Sequence, residues 1–499
     1  MSTVRMHMTP ICLSLSLLIV VVFMELGLTN PARAAEPVAR IVLQPGDTQS
    51  AAAARAVQRL RQDANLTDVQ FIVLGESTFN AEEIQRSGVV DYVLTARHGR
   101  QLTPDDAGAI VTLTEGGTRV FGLVSGVAPG LEEAGLEFDE VLQSYFSAGG
   151  TSNIEQMLRQ LLSRSIKTGL PYQAAVAPPR AGYFEPRAET FHETFEDYLS
   201  HYQAAANIPD LLSRPMIGLA TTRSGLTSGD TRYLLDIVLA FEAKGMAVLP
   251  FFNYPAHADL DWLLFDANGD PRISAIAALS FKLGVIPDQI IPALEKIGVP
   301  VVSGVRLSVD EPDVWAASEI GIGLDERSWQ IGSPELAGAI APTVVAGRVS
   351  ELDPDIGVKV SITQAIPERV ERWADRVSRL VRLQTMENAD KKVAVMYYNY
   401  PPGKGNIGAS YLNVLPDSLM EILNSLNTAG YNVGELPEAP EDLLELVRTR
   451  GSNPETAAQL QSLRQAAGAD VVLLDIAQYK SWLADVPAAL SSAIVDKWG

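Results

Sequence analysis

Short apolar runs alternate with amphipathic stretches along most of this chain. "VARIVLQP" (38–45) is dense enough in apolar residues for a buried strand, and "AAAARAVQRLRQDA" (51–64) repeats its apolar positions at helical spacing. "VQFIVLG" (69–75) and "VVDYVLTAR" (89–97) read as further short strands. Strands separated by helices need crossover connections, so the pattern predicts a mostly parallel sheet covered on both faces. The helix "NIEQMLRQLLSRSI" (153–166) closes this unit, and the proline-rich, non-periodic "AAVAPPRAGYFEP" (174–186) reads as a linker.

A second unit opens at "PMIGLATT" (215–222). One joint then recurs in "FEAKGMAVLPFF", "LEKIGVPVVSGV" and "LNTAGYNVGEL": a helix, a glycine, an apolar run. Glycine suits the left-handed residue just past a helix end. "PERVERWADRVSRLVRLQTME" (367–387) predicts a long amphipathic helix and "KVAVMYYNY" (392–400) a buried strand. Pro416 suits the first turn of the helix "PDSLMEILNSLNTAG". The expected fold class is α/β: several Rossmann-like, mostly parallel α/β units with added helices. The expected boundaries are a first α/β domain at 35–177, a linker and helix at 178–212, a second α/β domain at 213–385 and a third at 386–499.

The remaining segment, 1–34, has the grammar of a secretory signal. Arg5 precedes the apolar "ICLSLSLLIVVVFM", and "ARA" at 32–34 forms a cleavage site before Ala35. Glu25 interrupts the run, which is shorter than the roughly 20 residues of a spanning helix. The expectation is an exported, periplasmic protein with no stable membrane span after cleavage; an uncleaved membrane anchor is the alternative. Cleavage removes Cys12, the single cysteine, and with it disulfides, thiolate metal sites and cysteine nucleophiles. A formal charge of −21 with no basic run argues against a nucleic-acid partner.

Several polar clusters could carry chemistry. "YPPGKGNIGAS" (400–410) lies between a strand's carboxyl end and a helix start, where ligands collect in open α/β sheets. Its Gly403-Lys404 pair lacks the spacing and the hydroxyl of a P-loop, so nucleotide binding is not expected there. Lys404 could pair with a carboxylate and Asn406 could hydrogen-bond a ligand, or the loop could simply need its glycines for turns. In "HADLDWLLFD", His257, Asp259 and Asp261 are candidate ligands for a divalent cation; the competing reading is a polar turn. "DANGD" (266–270) lacks the downstream glutamate of a calcium loop. His192 and His201 are nine apart, too far for the i, i+4 pair of a zinc helix, and read as packing or surface residues. No G-x-S-x-G elbow appears, so covalent hydrolase chemistry has little support.

"MYYNYPPGKGNIGASYLNVLPDSLMEILNSLNTAGYNVGELP" (396–437) resembles the signature of the cobaltochelatase large subunit (CobN) and magnesium chelatase H-subunit family. "SAGGTSNIEQML", "ISAIAALSFKLG", "VPVVSGV", "EPDVWAASEIG" and "GSPELAGAIAP" resemble the family more loosely, so the likeness runs from about 140 to 499, an N-terminal portion of longer chains. The resemblance implies insertion of a divalent metal such as cobalt or magnesium, as substrate, into a tetrapyrrole. ATP is then hydrolysed by separate AAA+ subunits, with no covalently bound cofactor. It makes Tyr400, Lys404, Gly405, Asn406 and Gly408 candidate tetrapyrrole contacts. The alternative function is an exported, non-enzymatic carrier of a tetrapyrrole, corrinoid or metal complex. A third reading is a periplasmic solute-binding protein.

Overall fold

The computed structural model describes residues 37–46, 49–75, 79–96, 104–124, 130–282, 287–353, 358–396, 415–450, 456–467 and 474–498. The chain divides into two compact units, Met1–Val381 and Arg382–Gly499. The fold is α/β, with a parallel sheet and a mixed sheet, both flanked by helices.

The first sheet takes its strands from β1 (Ala39–Gln44), β2 (Val69–Val73), β3 (Tyr92–Thr95), β4 (Arg119–Gly122) and β5 (Leu136–Phe138). Its order is β2-β1-β3-β4-β5 and every pairing is parallel. One face buries Ile41, Leu43, Phe71 and Leu94 under the helices Ser50–Arg61 and Gly150–Ser165; the other buries Val42, Val93 and Val120 against Ile110 and Leu113. Strands covered on both faces need continuous apolar runs, which is what "RIVL" and "YVL" supply.

The second sheet contains β6 (Gly182–Glu185), β7 (Thr190–His192), β8 (Met216–Thr221), β9 (Ala247–Phe252), β10 (Ala275–Ala278), β11 (Val301–Leu307), β12 (Ile340–Asp353) and β13 (Val358–Ala365). Its order is β13-β12-β11-β10-β8-β9-β6-β7. Strands β8 to β12 pair in parallel, while β13 and β6 are antiparallel additions at the two ends. Segment 178–212 is therefore more than a linker: its first half folds into β6 and β7 and extends the sheet. Prolines mask this in the sequence, because both strands are short and lie at the sheet's end, where proline neighbours are tolerated.

Two of the glycine joints perform as expected: Gly245 and Gly298 have φ of +78° and +68° and release the chain into β9 and toward β11. Gly430 has φ +86°, yet residues 431–437 form no strand. In the second unit the described residues hold helices, Leu415–Thr428, Pro440–Arg450, Ala457–Ala467, Ile476–Ala484 and Ala488–Trp498, and no strand. Residues 392–396 of the expected strand are not in a ladder, and 397–400 lie outside the described residues, as does the expected signal segment. Among the described residues no helix is long and apolar enough to cross a membrane.

Candidate functional site

The chain runs β8, then β9 on one side, then crosses back to place β10 on the other side of β8. Placing β9 and β10 on opposite sides of β8 opens a crevice at its carboxyl end, the usual place for a ligand in such sheets. A cavity of about 1000 Å³ lies there. Its walls are the residues that follow each strand: Thr222 and Arg223 after β8, Asn253 and Tyr254 after β9, and Ser280 to Lys282 after β10. Arg306 reaches it from the end of β11.

Among the described residues the lining carries four basic side chains, Arg180, Arg223, Lys282 and Arg306, and no carboxylate. This contrasts with the chain's net charge of −21. None of the four is among the ion pairs of the described residues; their partners are mostly neutral. Arg180 Nε donates to the Tyr254 carbonyl at 2.7 Å, and Arg223 donates to the Pro178 and Pro179 carbonyls at 3.0 Å. Lys282, nine-tenths buried, donates from Nζ to the Gly304 carbonyl at 3.0 Å and to Gln330 Oε1 at 2.6 Å. Burial, helped by the charge of Arg306, lowers its pKa to about 7. The guanidinium of Arg306 sits 5.9 Å from the ring centroid of Tyr233. Gln330 fixes this wall: its Nε2 donates to Glu326 Oε1 and the Arg306 carbonyl, both at 2.6 Å.

Tyr254 and Trp329 give the cavity exposed aromatic surface, while Tyr233 and Phe281 are buried in its wall. Ser280 Oγ is buried in this wall without a hydrogen-bond partner among the described residues. An adjoining cleft of about 550 Å³ shares Thr222, Ser224, Thr227 and Arg306, and adds Arg348 and Asp230. The arrangement suits a large, flat, apolar molecule with anionic arms: rings for its faces, unpaired cations for its charges.

Sequence reasoning named none of these residues as site residues. The available signal was the lysine in "AIAALSFK", a cation just beyond a fully apolar strand. Tyr400, Lys404, Gly405, Asn406 and Gly408 lie outside the described residues. Among the described residues the metal candidates His257, Asp259 and Asp261 form no gathered group of three ligand atoms. Asp261 pairs with Lys296 at 2.7 Å, Asp259 Oδ1 accepts from Trp262 Nε1 at 3.2 Å, and His257 joins neither in a group of gathered ligand atoms. "DANGD" is a turn in which Asp266 Oδ1 accepts the Asn268 and Asp270 N–H groups, each at 2.9 Å. His192 and His201, read from their spacing as packing or surface residues, come together in the fold. His192 ends β7 and His201 lies on the helix Phe195–Ala206, so helical spacing never applied, and their ring centroids lie 4.6 Å apart.

A profile of the CobN/Magnesium Chelatase family matches residues 143–499. The chloroplastic magnesium-chelatase subunit ChlH of Oryza sativa subsp. indica is 30% identical over 329 residues, 62% of this chain and 23% of that one. The magnesium-chelatase H-subunit of Rhodobacter capsulatus is 29% identical over 381 residues, 70% and 29% of the two chains. The aerobic cobaltochelatase subunit CobN of Pseudomonas aeruginosa is 24% identical over 494 residues, 93% and 36%. The solved catalytic subunit of cobaltochelatase from Mycobacterium tuberculosis shares the fold, with a TM-score of 0.65 at 20% identity over 93% of this chain and 36% of that one. This chain thus spans between 23% and 36% of the length of these relatives.

Proposed function

The chain belongs to the CobN/magnesium chelatase family, and from that membership we propose that it binds a carboxylated tetrapyrrole in the cavity at the carboxyl ends of β8 to β11. It would serve insertion of a divalent metal such as cobalt or magnesium into that ring, with ATP turned over by separate AAA+ subunits. The observation that carries the reading is a cavity wall whose described residues include three arginines and Lys282 and no carboxylate, in an acidic chain. Such a wall concentrates positive potential where anionic side arms would dock. Arg180 and Arg223 are held by carbonyls rather than carboxylates, so their charge stays available to a ligand. Tyr254 and the half-buried Trp329 supply faces against which a macrocycle can lie.

A ligand-binding role for Lys404 and Asn406 is a separate proposal from their sequence alone, as is export with a mature start at Ala35. Replacing Arg223 or Arg306 by glutamine tests the cavity directly. Each change should weaken binding of a carboxylated porphyrin by about 1.5–3 kcal/mol, the range for a charged hydrogen bond. Unchanged affinity in both variants would remove the cavity from the account.

A further inference from the structure

His192, Asp197 and His201 form a cluster distinct from the residues that line the cavity. The carboxylate of Asp197 faces both imidazoles, with His192 Nδ1 2.6 Å from Oδ2 and His201 Nδ1 3.4 Å from Oδ1. One ligand-type atom from each of the three side chains lies within 4.8 Å of the others. Tetrahedral bonds of 2.0–2.1 Å to nitrogen and oxygen put ligand atoms about 3.3 Å apart, so small rotations would seat an ion among these three. We infer that His192, Asp197 and His201 bind a borderline divalent cation, zinc or cobalt in character, with open positions left for water.

Three features support the assignment. Thr190 Oγ1 lies 3.0 Å from His192 Nε2, a hydrogen bond that orients the ring and leaves Nδ1 facing the carboxylate. His192 is 3% exposed whereas the side chains of Asp197 and His201 are 53% and 55% exposed, so one ligand is rigidly held and the other two open to solvent. A mixed imidazole–carboxylate set favours zinc, cobalt or nickel over magnesium or calcium, which prefer all-oxygen cages.

His192 pairs with Tyr183 of β6, which pairs with Phe251 of β9, so it stands two strands from the end of β9. Strand spacing makes that lateral offset about 10 Å. Asn253, two residues beyond Phe251, lines the large cavity. The metal site and the cavity therefore share one sheet edge, although the metal assignment stands without the tetrapyrrole reading.

The test uses the full chain and metal alone, without a ring. Zinc titration by calorimetry should show one ion per chain, and cobalt(II) should give the visible absorption bands of a low-symmetry, four- or five-coordinate site. His201→Ala, at an exposed position, should keep the parent melting curve and weaken zinc by about tenfold or more, with Thr190→Val giving a smaller loss. His257→Ala should leave the affinity unchanged. Absence of zinc binding at about 100 μM free metal, or His201→Ala and Asp197→Asn variants that bind as tightly as the parent, would overturn the assignment.

Discussion

Lys282 Nζ donates to Gln330 Oε1 at 2.6 Å, so a buried ammonium is held by an amide oxygen with no carboxylate in contact. Gln330 is itself anchored by Glu326, whose Oε1 also accepts the Ser308 N–H. No contacting carboxylate offsets the cost of burying its charge, and the consequence is a dependence of stability on pH. Unfolded lysine titrates near 10.4, whereas burial brings Lys282 down to about 7. Between those values the unfolded chain holds a proton that the folded chain lacks. This group's contribution therefore falls as pH drops from about 10 to 7, by up to about 1.4 kcal/mol per pH unit, and levels off below 7. Lys282→Met should remove that dependence, so the variant gains on the parent as pH falls. Urea unfolding at several pH values checks this; parallel pH profiles would refute it.

The half-buried charge of Arg187 behaves differently because it is paired. Arg187 bonds Glu242 Oε2 at 2.6 Å and Glu185 Oε1 at 3.2 Å, and Tyr202 donates its hydroxyl to Glu242 Oε1 at 2.9 Å. Glu185 is fully buried and Glu242 nearly so. Arg187→Met would strand two carboxylates in a low-dielectric interior, at a cost of about 3–5 kcal/mol. Denaturant unfolding should report that loss, and a change below about 1 kcal/mol would mean the network relaxes to water.

Much of the fold was legible because each parallel strand had to be apolar on both faces. "RIVL", "MIGLAT" and "AVLPFF" became β1, β8 and β9, and the glycines at 245 and 298 took the left-handed joints. What escaped was governed by long-range pairing. β6 and β7 are too short to carry a period, and their strand character comes from alignment against Phe251 and Phe252. The site escaped for the same reason. Arg180, Arg223, Lys282 and Arg306 are scattered over more than a hundred positions and meet only through the order of the strands. The proximity of His192 and His201 was hidden because a strand and a helix, rather than one helix, bring them together.

Gly182 links the sheet to the metal assignment. A Cβ at this position would lie 2.5 Å from the carbonyl oxygen of His192, a backbone contact that no side-chain rotation relieves. Gly182→Ala should cost about 1–3 kcal/mol and, by displacing β7, weaken zinc as well. Gly269 makes a suitable comparison, with φ +87° and open space around the added methyl. Gly269→Ala should cost about 1 kcal/mol and leave zinc binding intact. Equal effects of the two changes on zinc would sever the link between β7 and the metal.

The central claim, that the cation-lined cavity recognises the anionic arms of a tetrapyrrole, is tested most directly with one ring in two forms. A free-acid porphyrin and its fully methyl-esterified counterpart share the flat macrocycle and differ in charge. Fluorescence titration of the purified chain should give one-to-one binding of the acid and binding of the ester weaker by about tenfold or more, equivalent to at least about 1.4 kcal/mol. Arg223→Gln should narrow that gap, since Arg223 offers an unpaired guanidinium to the cavity. Equal affinity for acid and ester, or a gap that persists undiminished in Arg223→Gln and Arg306→Gln, would contradict the account.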